Sequence, residues 1–422
     1  MRSTRGLRRG GAAFLASAAA LLVAAGGAQA APWPEQYWFN RLSIDQAWTL
    51  SRGAGVTVAV IDTGVVDTVP SLVGQVLPGI DLTGAGGDGR SDAGQSAAPG
   101  FTYSHGTNMA ALIAGRADVP GLVGIAPDAK ILPIKVFART GRTEENSGAV
   151  AKGIRYAVDS GAQIINLSLA APAACPADEA DAVAYAYARG VIVVAGTGNV
   201  AGPVQSPANC PGALAVTASD VNFVPWADNA TGPEVAFTSV GVDTPELTLE
   251  GGKLTGASGT SAAAATTSGV FALLRSAYPS ESARQIVARA ILTAKNGLGR
   301  PGRIGDQQGY GQPLPLQGMQ AAPGANASNP IYDAFDKELK TTTSAPSSPV
   351  PSGTGSSPAP SPSSGGTVPF GGAGHSTDGS GSALVPIAAI GAGVAVLAVI
   401  IIFVIRSRRR AAGPTGPPQW GP

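Results

Sequence analysis

A serine hydroxyl becomes an effective nucleophile only when a base takes its proton, and an imidazole base needs a carboxylate to fix its tautomer. Residues of these three types occur here in glycine-flanked settings. Asp62 ends the run GVTVAVID, His105 opens HGTNMAAL, and Ser261 lies in SGTSAAAA. A helix starting at Ser261 would aim free backbone N–H groups at a developing oxyanion. Asn199, in VAGTGNVAG, follows a buried-strand pattern inside a glycine-rich turn, so its side-chain N–H is a candidate second oxyanion donor. Each residue alone has an ordinary structural reading: a strand-end carboxylate, a core histidine, a helix N-cap and a turn asparagine. Together they point to acyl transfer through a covalent serine intermediate.

Simple counts narrow the chemistry. The chain has two histidines, and His375 lies in a Pro/Ser/Gly-rich tract, which leaves His105 as the imidazole of the foldable region. A catalytic zinc held by several imidazoles is therefore disfavoured, and no H-E-x-x-H motif is present. Asp81, Asp88 and Asp92 fall in a Gly/Asp/Ser-rich stretch before His105 but lack the EF-hand ligand pattern, so no metal or other cofactor is expected. The order Asp, His, Ser and the absence of G-x-S-x-G exclude an α/β-hydrolase esterase. A formal net charge of +1 gives no reason to expect nucleic acid as a partner.

These residues need a scaffold. Residues 55–61 form a continuous apolar, β-branched run, the mark of a buried parallel strand with a functional carboxyl end. Similar runs span 130–137, 164–169, 191–195 and 214–218, while 108–114, 147–160 and 178–189 read as helices. Such alternation predicts an α/β sandwich with a mainly parallel sheet.

The two ends are of another character. Charged residues make up 13% of the chain, with 58 glycines and 34 prolines, against a globular norm of about 25% charged. Arg2, Arg5, Arg8 and Arg9, an apolar stretch and Ala28-Gln29-Ala30 predict a signal peptide over 1–30. A short N-terminal extension follows over 31–54, where Trp33, Tyr37, Trp38, Phe39 and Trp48 are candidates to clamp it to the domain. The peptidase domain is expected over 55–320 and a disordered Pro/Ser/Gly-rich linker over 321–382. The uncharged run 383–405 is long enough to predict a transmembrane helix. Arg406, Arg408, Arg409 and Arg410 assign the tail 406–422 to the cytoplasm. The expected placement is the cell membrane, single-pass, with the catalytic domain extracytoplasmic and the lipid bilayer as a partner. In an exported chain Cys175 and Cys210 can form one disulfide; two buried thiols are the other reading.

Asp62 in D-T-G, His105 in H-G-T, Ser261 in G-T-S and Asn199 together resemble the subtilisin-like serine proteases, over about 48–274 and more loosely to 320. The resemblance implies a three-layer sandwich and hydrolysis of peptide bonds in a peptide or protein substrate. It also implies a substrate-pairing edge at Ser168, Leu169 and Ala170. Within that family the chain is similar to the mycosins, membrane-anchored proteases of type VII secretion. The likeness rests on the signal peptide, short extension, linker, terminal helix and Cys175/Cys210 pair, and it implies a type VII membrane complex as a partner. There are departures: Ala265 and Ala262 replace a proline and a Met or Phe beside the serine, Asn108 a histidine, and Ala170 a glycine. A catalytically silent or occluded scaffold in such a complex is the competing reading.

Overall fold

The strand Thr57–Asp62 has the sequence TVAVID and is buried from Val58 onward. Successive side chains point to opposite faces of a strand, so a strand buried on both faces requires a layer on each side. That is the arrangement seen in the computed structural model, which describes residues 31–92, 94–98, 101–137, 148–296, 301–324 and 326–344. Val58 and Val60 enter one hydrophobic core, with the helices His105–Ala114 and Thr260–Ala277. Ala59 and Ile61 enter a second, with Ala149–Asp159 and Ala177–Ala188. The α/β sandwich and its mainly parallel central sheet are thus as the sequence predicts.

The sheet has seven strands in the order Val235–Val240, Leu214–Ser219, Ile192–Gly196, Ile164–Leu167, Thr57–Asp62, Lys130–Lys135 and Ile80–Asp81. All neighbours are parallel. Thr57–Asp62 lies centrally; the chain continues to Ile80–Asp81 and Lys130–Lys135 on one side and then builds outward on the other. Ligands of open parallel sheets bind beyond the carboxyl ends of strands, where the strand order reverses. Asp62, Ser168 and Asn199 all lie at or just past such ends. Two antiparallel pairs supplement the sheet, Gln95–Ala98 with Phe101–Tyr103 and Thr244–Leu247 with Lys253–Ala257.

Residues 31–54 are part of the fold rather than an appendage. Trp38, Phe39, Leu42, Ile44 and Trp48 are buried in the first core. The Gln36 carboxamide donates to Val123 O at 2.7 Å and accepts from Val123 N at 3.1 Å, and Trp48 Nε1 donates to Ile125 O at 2.8 Å. Apolar burial and the satisfied polar tips of Gln36 and Trp48 together fix this segment.

The carboxyl end of the folded region lies beyond residue 320. Pro330–Ser344, inside the stretch read as linker, is a helix. Asn329 Oδ1 accepts from Tyr332 N, and Tyr332 and Phe335 are buried against Tyr187. Arg284 pairs with both Asp333 and Asp336. An apolar pair three residues apart suffices to dock one helical face, a signal the low-complexity sequence after it obscures.

The transmembrane expectation is corrected. Among the described residues no helix is long and apolar enough to cross a membrane. The longest, Thr260–Ala277, has 18 residues, which at 1.5 Å rise each is about 27 Å. That falls short of a hydrocarbon layer of about 30 Å, and the helix is enclosed in the core behind Ser261. Residues 383–405 lie outside the described residues. An uncharged run supplies only a length criterion, and no described helix supplies the span. The bilayer partner, the single-pass cell-membrane placement and the cytoplasmic tail rested on that span, which no described helix supplies. The expected signal peptide at 1–30 also lies outside the described residues.

Candidate active site

Asp62 is delivered to the cleft floor by the end of its strand, and its side chain is 2% exposed. Both carboxylate oxygens face His105 Nδ1, at 2.8 and 2.9 Å. Oδ1 also accepts the Thr63 backbone N–H at 2.7 Å. A carboxylate bound in this way keeps the proton on Nδ1 and leaves Nε2 as the base.

His105 sits in the first turn of its helix, whose start is fixed by the Ser104 cap accepting from Thr107 N. Asp92 ties the surroundings together. Its Oδ2 accepts from Thr63 Oγ1 at 2.7 Å and Ser104 Oγ at 2.8 Å, and Thr63 Oγ1 in turn accepts from Gly106 N. Asp62's strand and His105's helix are thereby joined through one carboxylate. Gly106 is required here, since a Cβ would lie 2.2 Å from Gly64 O. Burial acts most strongly on the imidazole and opposes its charge. The Asp62 charge and hydrogen bond, with Glu246 and Asp92 adding to them, nevertheless hold His105 above its ordinary 6.5.

Ser261 is the second residue of Thr260–Ala277. Its hydroxyl donates to Ser168 O at 3.2 Å, while Ser168 Oγ donates back to Ser261 O at 2.8 Å. Asn166 steadies Ser168 Oγ from the strand, and Ser268 steadies Asn166 from the helix. Asn199 Oδ1 accepts from Thr260 N at 2.8 Å and Thr260 Oγ1 at 3.0 Å. With its oxygen so engaged, the Asn199 amide nitrogen is turned toward Gly259 and the cleft. The departures are absorbed locally: the helix runs unbroken through Ala262 and Ala265, and Asn108 donates to Leu247 O and accepts from Leu247 N.

A cleft of about 420 Å³ brings Asp62, His105 and Ser261 together with Asn199, and Ser168, Leu169 and Ala170 form part of its wall. Cys175 and Cys210 lie away from it, joined as a disulfide with Cα atoms 5.0 Å apart. Asp81 and Asp88 are engaged locally with Thr83 and Arg90. Sequence reasoning missed Thr260, whose place in G-T-S was its only signal. It also missed Tyr103 and Glu246, both lining the cleft, for which no motif spoke.

The Subtilase family profile matches residues 53–311. Among characterised relatives, mycosin-4 of Mycobacterium tuberculosis (strain ATCC 25618 / H37Rv) is 32% identical over 296 residues, covering 60% of this chain and 62% of that protein. The chain therefore spans less than two thirds of mycosin-4. Mycosin-1 of the same organism is 33% identical over 321 residues, covering 63% of this chain and 68% of that protein. The solved structure of MycP3 protease from the type VII (ESX-3) secretion system superposes with a TM-score of 0.58 at 29% identity, covering 70% of this chain and 90% of that one. The profile takes in the whole parallel sheet, the buried Asp–His pair, Asn199 and the helix behind Ser261, and with mycosins among its relatives this chain belongs to the Subtilase family.

Proposed function

We propose that this chain is a serine endopeptidase that acts in association with type VII protein secretion. The observation that carries the reading is the buried carboxylate of Asp62 on His105 Nδ1, in one cleft with a serine at a helix start. In the proposed reaction the Ser261 hydroxyl leaves Ser168 O, and its proton passes to His105 Nε2 as its oxygen bonds to the scissile carbonyl carbon. The carbonyl π electrons move to oxygen, where Ser261 N–H and the Asn199 amide donate to the negative charge. His105 gives its proton to the leaving nitrogen as the C–N bond breaks. Water, deprotonated by the same imidazole, then releases the acyl group and restores Ser261. The strand continuation Ser168–Ala170 offers a wall along which an extended peptide can pair. The association with secretion rests on the likeness to the mycosins and to the MycP3 protease.

The test is hydrolysis of an unstructured protein substrate by the purified full-length chain, with fragments identified by mass. Cleavage is expected, with Ser261→Ala reduced to background. Equal cleavage by both would overturn the reading.

A further inference from the structure

The cleft holds an ionisable side chain that the reaction above does not use. Glu246 lies in the strand Thr244–Leu247 and lines the same cavity as His105 and Ser261. Tyr103 lines the cavity as well, and its hydroxyl and the His105 imidazole interact with the Glu246 carboxyl. The Tyr103 ring in turn meets the His105 ring edge-on, with centroids 6.4 Å apart. The position is fixed. The adjacent Leu247 is held to His105's own helix by both halves of the Asn108 carboxamide, at 2.6 and 2.8 Å. Glu246 also pairs across the hairpin with Leu254.

What Glu246 lacks is a Lys or Arg partner. Among the described residues no Lys or Arg forms an ion pair with it. Lys253, the lysine of the same hairpin, is engaged by Glu35 at 2.6 Å. The Tyr103 hydroxyl can satisfy only part of the carboxylate's acceptor capacity. Burial holds the carboxyl above the usual carboxylate range, while Tyr103 and His105 pull it down. A part-buried carboxylate without a cation is costly unless a binding partner brings one. The same cavity is also lined by Ala257, Ala262 and Met109, whose apolar side chains suit the methylene stem of a long basic residue.

We infer that Glu246 and the Tyr103 hydroxyl form an acidic subsite that takes the Lys or Arg side chain of a substrate residue close to the bond being cut. The inference rests on the serine-protease reading, and its test separates the two. The full-length chain is first titrated with a fluorophosphonate to count active sites. It is then profiled with peptides carrying Lys, Arg, norleucine or Glu at each position flanking the cleaved bond. At one such position kcat/KM is expected to favour Lys or Arg over norleucine by roughly tenfold or more, with Glu the poorest. In Glu246→Gln that ratio should fall to about one, and in Glu246→Asp, which keeps the charge, most of it should survive. No basic preference in the wild-type profile overturns the inference, whether or not the variants fold. A preference that persists in Glu246→Gln does the same. A folded chain that takes no fluorophosphonate overturns the protease reading, and the subsite falls with it.

Discussion

Asp62 accepts from both His105 Nδ1 and the Thr63 N–H, so its role is orientation as much as charge. Asp62→Asn retains the shape but favours the wrong tautomer, and kcat should drop about 10⁴-fold. Asn199→Ala removes one oxyanion donor and should lower kcat about 10²–10³-fold with little change in KM. Steady-state kinetics on a peptide substrate checks both. His105 is held above its ordinary 6.5, which has two consequences of opposite sign. The charged Asp62–His105 pair stabilises the fold fully below that ordinary value, and the contribution is lost as pH rises through the raised one. Catalysis needs the neutral imidazole, so kcat/KM should fall as pH drops through the raised pKa. A pH–rate profile should place the acid limb above 6.5; a limb at or below that value would contradict the arrangement. The placement of these residues in one cleft was legible in the sequence because glycine-flanked Asp, His and Ser motifs fall at strand and helix ends. Glu246 was not legible, because a single acidic residue in a hairpin has no periodicity or motif to distinguish it from a solvated one.

At the scale of elements, the site depends on how strand ends and helix starts are tied together. Asn108 joins the His105 helix to the hairpin carrying Glu246 through its interior-facing carboxamide. Asn108→Ala leaves the Leu247 N–H and C=O without those partners and should cost about 1–3 kcal/mol, measurable by urea unfolding. Sequence reading saw Asn108 only as a departure from a common histidine; its partner lies 139 residues away, a contact no local pattern encodes. The helix Pro330–Ser344 was missed for a related reason. Its docking rests on Tyr332, Phe335 and the reach of Arg284 to Asp333 and Asp336. Arg284→Ala should therefore raise amide hydrogen exchange within 330–344 while leaving the central sheet protected. Strands such as Thr57–Asp62 were legible because burial on both faces demands an unbroken apolar run.

At the scale of the whole molecule, the first of the two cores extends from the N-terminal tryptophans to the docked helix Pro330–Ser344, with Trp38 and Tyr332 in the same cluster. None of residues 31–54 lines the cleft, so the extension contributes to the fold without covering the site. It also braces the cleft hairpin, through Glu35 to Lys253 and Tyr37 to Val242 O. The disulfide closes a loop of sequence separation 35. Replacing Cys175 and Cys210 by serine should lower the unfolding free energy by about 2–4 kcal/mol, checked by denaturation with and without reductant. Composition alone revealed that the ends differ from the core but drew the boundary too early, since a short amphipathic helix carries little weight beside a long Pro/Ser-rich tract. The central claim is that Ser261 is an activated nucleophile. It is tested most directly by exposing the folded full-length chain to a fluorophosphonate and mapping the adduct by peptide mass spectrometry. The account predicts a single adduct, on Ser261, that is lost on unfolding and strongly reduced in His105→Ala; a folded chain left unlabelled, or labelled on another serine, would contradict it.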